Sequence, residues 1–296
     1  MSSADSAASK AAEPFWWGDS ARAVAAIAWV AGGCTLILMI LAQPIVEAAD
    51  GMLGGIHPAL GARFGIPVAV LALAAVGLLI FRRPFRLYRR RPALVLYAFP
   101  SGVLAVLALL AIASLAGIVI PVPPATTERA LILGSLVVLV QVVGEEVLLR
   151  GLLQPLLTRA WGAWLGILLT ALTFTLIHVL GGWSDPVSLL NITLAGIWFG
   201  LLALRTSGLL APSLAHFGYN WGEEILIGTS PNPGIGPFGA FFDFDLAGPA
   251  ILGGSLDGFN ASVVLSVVLA LLILPLALMR ARPAATSGAS PSEARA

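Results

Sequence analysis

The chain has 296 residues, 58% of them hydrophobic and only 10% charged, with a net charge of +1 and a mean hydropathy of +0.96. Soluble domains carry about 25% charged residues, so this composition excludes a soluble globular domain and points to a polytopic membrane protein. With no array of Lys/Arg and aromatic residues, nucleic acid is excluded as a partner; the single cysteine, Cys34, excludes an intrachain disulfide and a Cys-based metal site.

Residues 1–22 mix Ser, Ala and both charge signs without apolar periodicity and end near Phe15-Trp16-Trp17, which predicts a disordered tail with an interfacial aromatic anchor. Apolar runs near the ~20 residues needed to cross a bilayer then follow at 24–46, 65–81, 93–120, 130–157, 161–181, 187–204, 208–226 and 260–279. The expected fold is therefore all-α, a transmembrane helical bundle of about eight spans, with seven as the alternative count. The first run exceeds a 7–15-residue signal core, which predicts an uncleaved helix, and Cys34 inside it reads as a small buried hydrophobe.

Arginine placement supports the count. With both termini cytoplasmic, Arg82, Arg83, Arg86, Arg89, Arg90 and Arg91 share one inner loop, Arg159 and Arg205 mark two inner turns, and outer loops keep only Arg63 and Arg129. Residues 227–259 lack Lys and Arg but hold Asp243, Asp245 and Asp257 among glycines, prolines and the cluster Phe238, Phe241, Phe242 and Phe244. They read as an outer loop packed as a plug on the helix ends. Residues 260–282 carry the last helix, and 283–296 form a polar Ala/Ser/Pro tail.

Three polar clusters interrupt the apolar runs, each at i, i+4 spacing that places its members on one helical face. The first is Glu145-Glu146-x-x-x-Arg150. Each buried charge opposes insertion by about 2.5–3.5 kcal/mol, so the cluster requires local compensation. Glu146 and Arg150 stack one turn apart and can pair, while Glu145, rotated by about 100°, stays free to act as a general base.

The second cluster is Phe174-x-x-x-His178 and the third His216-x-x-x-Asn220, whose imidazole and amide can present donors together to an oxyanion. Taken singly, each reads equally as packing or interhelical hydrogen bonding. Two of only three histidines lie in spans that also contain a carboxylate pair, which makes three independent packing sites the weaker account. His57 reads as incidental, Glu223 and Glu224 as interfacial residues solvated at a helix end, and Gln141 and Asn191 as helix links or site supports.

These clusters, in this order on separate apolar helices, resemble the CPBP family of type II CAAX prenyl endopeptidases and abortive-infection-like intramembrane proteases. The family pattern EExxxR, FxxxH, HxxxN stands here as GEEVLLRG at 144–151, FTLIH at 174–178 and HFGYN at 216–220, and the resemblance covers about 130–226, expected as the catalytic core. Residues 23–129 then supply N-terminal transmembrane helices outside it. The resemblance implies that Glu145 activates water, His178 orients it, His216 and Asn220 hold the oxyanion, and Glu146 and Arg150 support them. It permits a divalent metal such as zinc on Glu145, His178 and His216 without demanding one, and the residues lean toward a metal-free glutamate mechanism since no H-E-x-x-H helix is present.

The expected function is thus intramembrane endopeptidase action on a membrane-associated protein or peptide substrate, in the plasma (inner) membrane. The Ala- and Arg-rich, Lys-poor composition fits a high-GC bacterium, so a bacteriocin, signal peptide or anti-sigma type of substrate is as consistent as a prenylated protein. The rival readings are a proton-coupled transporter, which would call for repeat symmetry that the chain does not display, and a catalytically silent immunity or scaffold protein. One tension remains: counted along their spans, His178 lies nearer the outer face and His216 nearer the inner one.

Overall fold

A chain in hydrocarbon must satisfy every backbone N–H and C=O internally, so the apolar runs fold as helices. The computed structural model describes residues 18–57, 59–83, 86–234 and 236–279. The expected aromatic anchor at Phe15–Trp17 and the tail at 283–296 lie outside the described residues. Eight long helical rods result among those residues: α1 (Asp19–Leu53), α2 (Leu60–Ile80), α3 (Pro92–Leu115), α4 (Glu128–Trp161), α5 (Ala163–Leu180) and α6 (Pro186–Thr206), then α7, which runs over Leu210–Trp221 and continues through Gly222–Ile227, and α8 (Val263–Leu278). Six of them, α1 to α6, are long and apolar enough to cross a membrane; α8 is apolar but only 16 residues long. The helical membrane bundle expected from composition is present, and α1 begins at Asp19, inside the segment read as a tail.

Helix ends follow local chemistry. Thr127 caps α4 by accepting from the Ala130 N–H, Asp185 caps α6 by accepting from Val187 and Ser188, and Ser262 caps α8 by accepting from Val264. Gly162, at φ 86°, makes the turn from α4 into α5 in a conformation that a side chain would strain. Three helices widen into π-helical turns: α1 at Leu36–Leu41, α4 at Val147–Leu153 and α7 at Gly222–Ile227. Such turns are rare and gather at functional sites.

Two apolar clusters build the interior. One joins α3, α6, α7 and α8 around Val106, Leu109, Phe199, Leu201 and Leu265; the other joins α1, α2, α4 and α5 around Val30, Ala74, Leu152 and Phe174. Where α3 crosses α7 the backbones nearly touch: a side chain on Gly102 would collide with the Ala215 carbonyl, and one on Gly218 with the Phe99 carbonyl. Small residues at such a crossing let membrane helices gain contact without a hydrophobic drive between them. Outward-facing Leu79, Leu96, Leu115 and Leu271 stay exposed, as a lipid-facing surface requires.

Outside the bundle, β1 (Val119–Pro121), β2 (Thr229–Ser230) and β3 (Phe244–Leu246) form a small sheet in the order β1-β3-β2. β1 runs antiparallel to β3 with Ile120 opposite Asp245, and β2 runs parallel to it. The segment after α7 also reaches back into the bundle: Phe238, 1% exposed, packs with Leu60 and Val137 and lies over the His57 ring at 4.9 Å. That fits a packed plug, and it gives His57 a structural contact.

Candidate active site

The site begins at the point where α4 widens. Glu146 is fully buried, and its Oε1 accepts from Arg150 Nη1 at 2.7 Å, the i, i+4 pair expected from the sequence. The same oxygen accepts from His216 Nδ1 at 3.0 Å, which ties α4 to α7. Arg150 spends its second amino group on the Gly196 carbonyl of α6 at 3.0 Å, and its guanidinium lies 5.2 Å from the Phe174 ring centre and 5.4 Å from that of Phe199. A buried ion pair is favourable only when its remaining valences are filled, and here an imidazole, a carbonyl and two aromatic faces fill most of them. Phe174 and Phe199 come one from each apolar cluster, so the charge network forms the seam between the halves of the bundle.

Glu145 turns the other way. Its Oε1 accepts from Gln141 Nε2 at 3.2 Å, one turn earlier on α4, while its buried Oε2 has no hydrogen-bond partner and lies 3.8 Å from His216 Nε2. The free and the paired carboxylate of the sequence reading are therefore distinct in space. Gln141 supports the site directly, whereas Asn191 links helices: its amide donates to the Asn260 and Ser262 carbonyls, and its oxygen accepts from Ser266.

The two histidines have fixed orientations. His178 Nδ1 lies 2.9 Å from the Phe174 carbonyl, which can only accept, so this nitrogen carries the hydrogen and a neutral ring offers its Nε2 lone pair. His216 stacks on Phe199, centroids 4.5 Å apart and planes within 17°, and is 4% exposed. With Nδ1 donating to Glu146, its Nε2 faces Glu145. The Phe174 ring stands edge-on between them, 4.5 Å from His178 and 5.9 Å from His216. Residue counts along separate helices set these histidines at different depths, but such counts carry no information on tilt or on wide turns, and the folded chain brings both to one place.

Glu145, His178, His216 and Asn220 line a single cavity of about 140 Å³. A second, more apolar cavity of about 300 Å³ adjoins it, shares Glu145 and His178, and is walled by Leu38, Val70 and Leu148 from α1, α2 and α4. Glu223 and Glu224 also line the first cavity, 6% and 8% exposed. This corrects their reading as solvated interfacial residues. The wide turn of α7 rotates both inward, and the chain beyond covers them: Gly236 N–H donates to Glu224 at 2.9 Å, while Asn232 and Asn260 face Glu223. Phe199, Asn232 and Trp183, 6.2 Å from the His178 ring, were not singled out in the sequence, where they stand as one more aromatic in an apolar run and as ordinary loop residues.

Among the described residues no three His, Cys, Asp or Glu side chains converge as a ready ligand set for an ion. Within the candidate set Glu145, His178 and His216, His216 donates Nδ1–H to Glu146 and turns Nε2 toward Glu145, while His178 has Nδ1 on the Phe174 carbonyl.

No match to the chain was found among curated proteins or among solved structures. The family comparison is positive and falls on the part of the chain that carries all three motifs: residues 127–222 match the family model of type II CAAX prenyl endopeptidase Rce1-like proteins, in agreement with the resemblance read from the sequence.

Proposed function

We propose that this multi-pass membrane protein is an intramembrane endopeptidase that hydrolyses a peptide bond of a membrane-associated protein or peptide by direct attack of water. The observation that carries the reading is the meeting of Glu145, with one unpartnered oxygen, His178, His216 and Asn220 in one polar cavity inside an apolar bundle. The family match over the same residues supports a CAAX-type protease.

In the proposed reaction, Glu145 removes a proton from a water molecule as its oxygen attacks the scissile carbonyl carbon. The His178 Nε2 lone pair accepts the water's second hydrogen bond and sets its direction. Asn220 supplies an amide N–H to the developing oxyanion, and His216 adds Nε2–H when its ring carries both protons. Collapse of the tetrahedral intermediate breaks the C–N bond, and the proton held by Glu145 passes to the leaving amine. Glu146 and Arg150 touch no reacting atom; they hold His216 in place. The adjoining apolar cavity suits a hydrophobic stretch of substrate beside the scissile bond.

The test is cleavage of a quenched-fluorescent transmembrane peptide library by the purified protein in lipid. Glu145→Gln should lower turnover by about 10²–10⁴-fold, the usual worth of a general base, with helix content unchanged. Cleavage that survives Glu145→Gln at the native rate would sink the proposal, and proton-dependent solute uptake without cleavage would replace it with the carrier reading.

A further inference from the structure

A cavity of about 360 Å³ that the proposed reaction leaves unused lies at the helix ends where α4 turns into α5 and α6 into α7. Arg83, Arg86, Arg150 and Arg159 line it together with Thr158 and Ser207, and no carboxylate does. Asp19 pairs with Arg159 at 2.9 Å, and Arg150 keeps its ion pair with Glu146. Arg22 adds a further cation and donates to the Phe81 carbonyl at 2.8 Å, and the charged form of Arg83 is disfavoured first by burial and then by the like charges of Arg86, Arg22 and Arg159. Five arginines gather here, and Asp19 and Glu146 are bonded to two of them.

Two buried donors of the cavity have no hydrogen-bond partner. They are the Nε–H groups of Arg83 and of Arg150, the latter residue only 3% exposed. Gln154, which also lines the cavity, has a buried Oε1 without a hydrogen-bond partner. Buried N–H groups left without partners are costly, and unpartnered guanidinium edges beside hydroxyls are the donor set that an oxyanion with several acceptor oxygens fills.

The cavity wall is also fixed before any ligand arrives. The backbone carrying Arg86 is bonded to the α6–α7 turn: Leu209 N–H donates to the Arg86 carbonyl at 3.1 Å, Leu210 to that of Leu87 at 2.8 Å, and Arg89 and Arg90 both donate to Thr206 at 3.0 Å. A tether from two helices holds the arginines near one another against their repulsion. Such a cost is not needed merely to place arginines on one side of a membrane, since arginines spread along a loop satisfy that bias equally well.

We propose that this cavity is a phosphate-binding site at the membrane surface. Its position at helix ends fits the headgroup phosphate of an anionic lipid, and basic pockets between helix ends are sites of that kind. A soluble phosphate would present the same oxygens. The site does not depend on the protein being a protease, although Arg150 joins the two, since it pairs with Glu146 and also lines the arginine cavity.

The experiment compares the full-length protein in neutral detergent with phosphatidylcholine alone, with phosphatidylcholine plus phosphatidylglycerol, and with inorganic phosphate, and reads bound lipid or phosphate and the unfolding midpoint. Phosphatidylglycerol should bind, and Arg83→Gln with Arg86→Gln should weaken it about 30-fold, about fivefold per arginine. Arg86→Gln alone removes an exposed side chain and should weaken binding about fivefold with the fold intact. The pair Arg83→Lys and Arg86→Lys, which keeps charge and loses the planar fork, should recover part of the affinity. Inorganic phosphate that competes with the lipid and shows the same arginine dependence would support the site and assign it to a soluble source. Wild-type protein that binds neither, or binding that is indifferent to all three variants, would overturn the proposal.

Discussion

The chain contains two pairs of adjacent glutamates, both at a π-helical turn and both contributing to the wall of one cavity, Glu145 from the first pair and Glu223 and Glu224 from the second, yet they are compensated in opposite ways. Glu145-Glu146 draws its counterion from its own helix, Arg150 four residues on, and adds His216. Glu223-Glu224 has Ile227 and Gly228 at the corresponding positions and takes its partners from elsewhere: the Gly236 N–H, Asn232, Asn260 and the charge of Arg63. The comparison teaches that a doubled carboxylate has no fixed role in a membrane. What stands one turn away decides whether it becomes half of an ion pair or depends on the fold around it.

The sharpest break in the comparison is catalytic: Glu145→Gln should cost the full general-base effect given above, while Glu223→Gln, which removes no group that takes part in the proposed reaction, should leave a cleaving protein. Assays of the two variants on one substrate separate the pairs. The next effect is on stability. Arg150→Met strands Glu146 without its counterion, which should cost about 3–5 kcal/mol, and Glu146→Gln added to it should return most of that loss. Glu223→Gln breaks no bonded ion pair, so its thermal midpoint in the same detergent should match or exceed that of the wild type.

A smaller effect belongs to Gln141, whose amide holds Glu145 at 3.2 Å. Gln141→Leu should lower kcat about tenfold at constant KM, the worth of a hydrogen bond to a charged group. The smallest effect is in a third acidic pair at β3, Asp243 just before the strand and Asp245 within it. Burial and the neighbouring Asp245 raise the Asp243 carboxyl above its usual 3.8. A pKa raised by folding means that ionisation opposes the fold, so stability falls as pH rises through the folded value. Asp243→Asn should therefore raise the midpoint slightly at neutral pH and leave it unchanged in strong acid.

Much of this arrangement is legible in the sequence, and the boundary between the legible part and the rest is physical. Every apolar run became a helical rod, because length and hydropathy leave a membrane chain few alternatives. The Glu146–Arg150 pair followed from i, i+4 geometry alone, and so did the separation of Glu145 from it. The burial of Glu223 and Glu224 was not legible, because their cover comes from Asn232, Gly236 and Asn260, and no local pattern tells a loop to fold back. Phe199 escaped for another reason: its stacking on His216 is invisible in a run where every neighbour is also apolar. Arg83, Arg86 and Arg159 were visible as topology signals, but their convergence on one cavity depends on contacts between the 86–90 backbone and a turn more than a hundred residues away.

The wide turn of α4 at Val147–Leu153 also has a meaning for gene comparison and engineering. A π-helical turn amounts to about one residue inserted into an α-helix, so the segments before and after it keep separate angular phases. Removing one residue there would rotate the Gln154–Trp161 half by roughly 100° against the Glu128–Glu146 half, taking Gln154 away from the Gly200 carbonyl it now reaches at 2.9 Å. Aligned homologues that lack the extra residue should show a single-position gap within this stretch, and chimeras spliced inside it should fail where those spliced at Gly162 succeed.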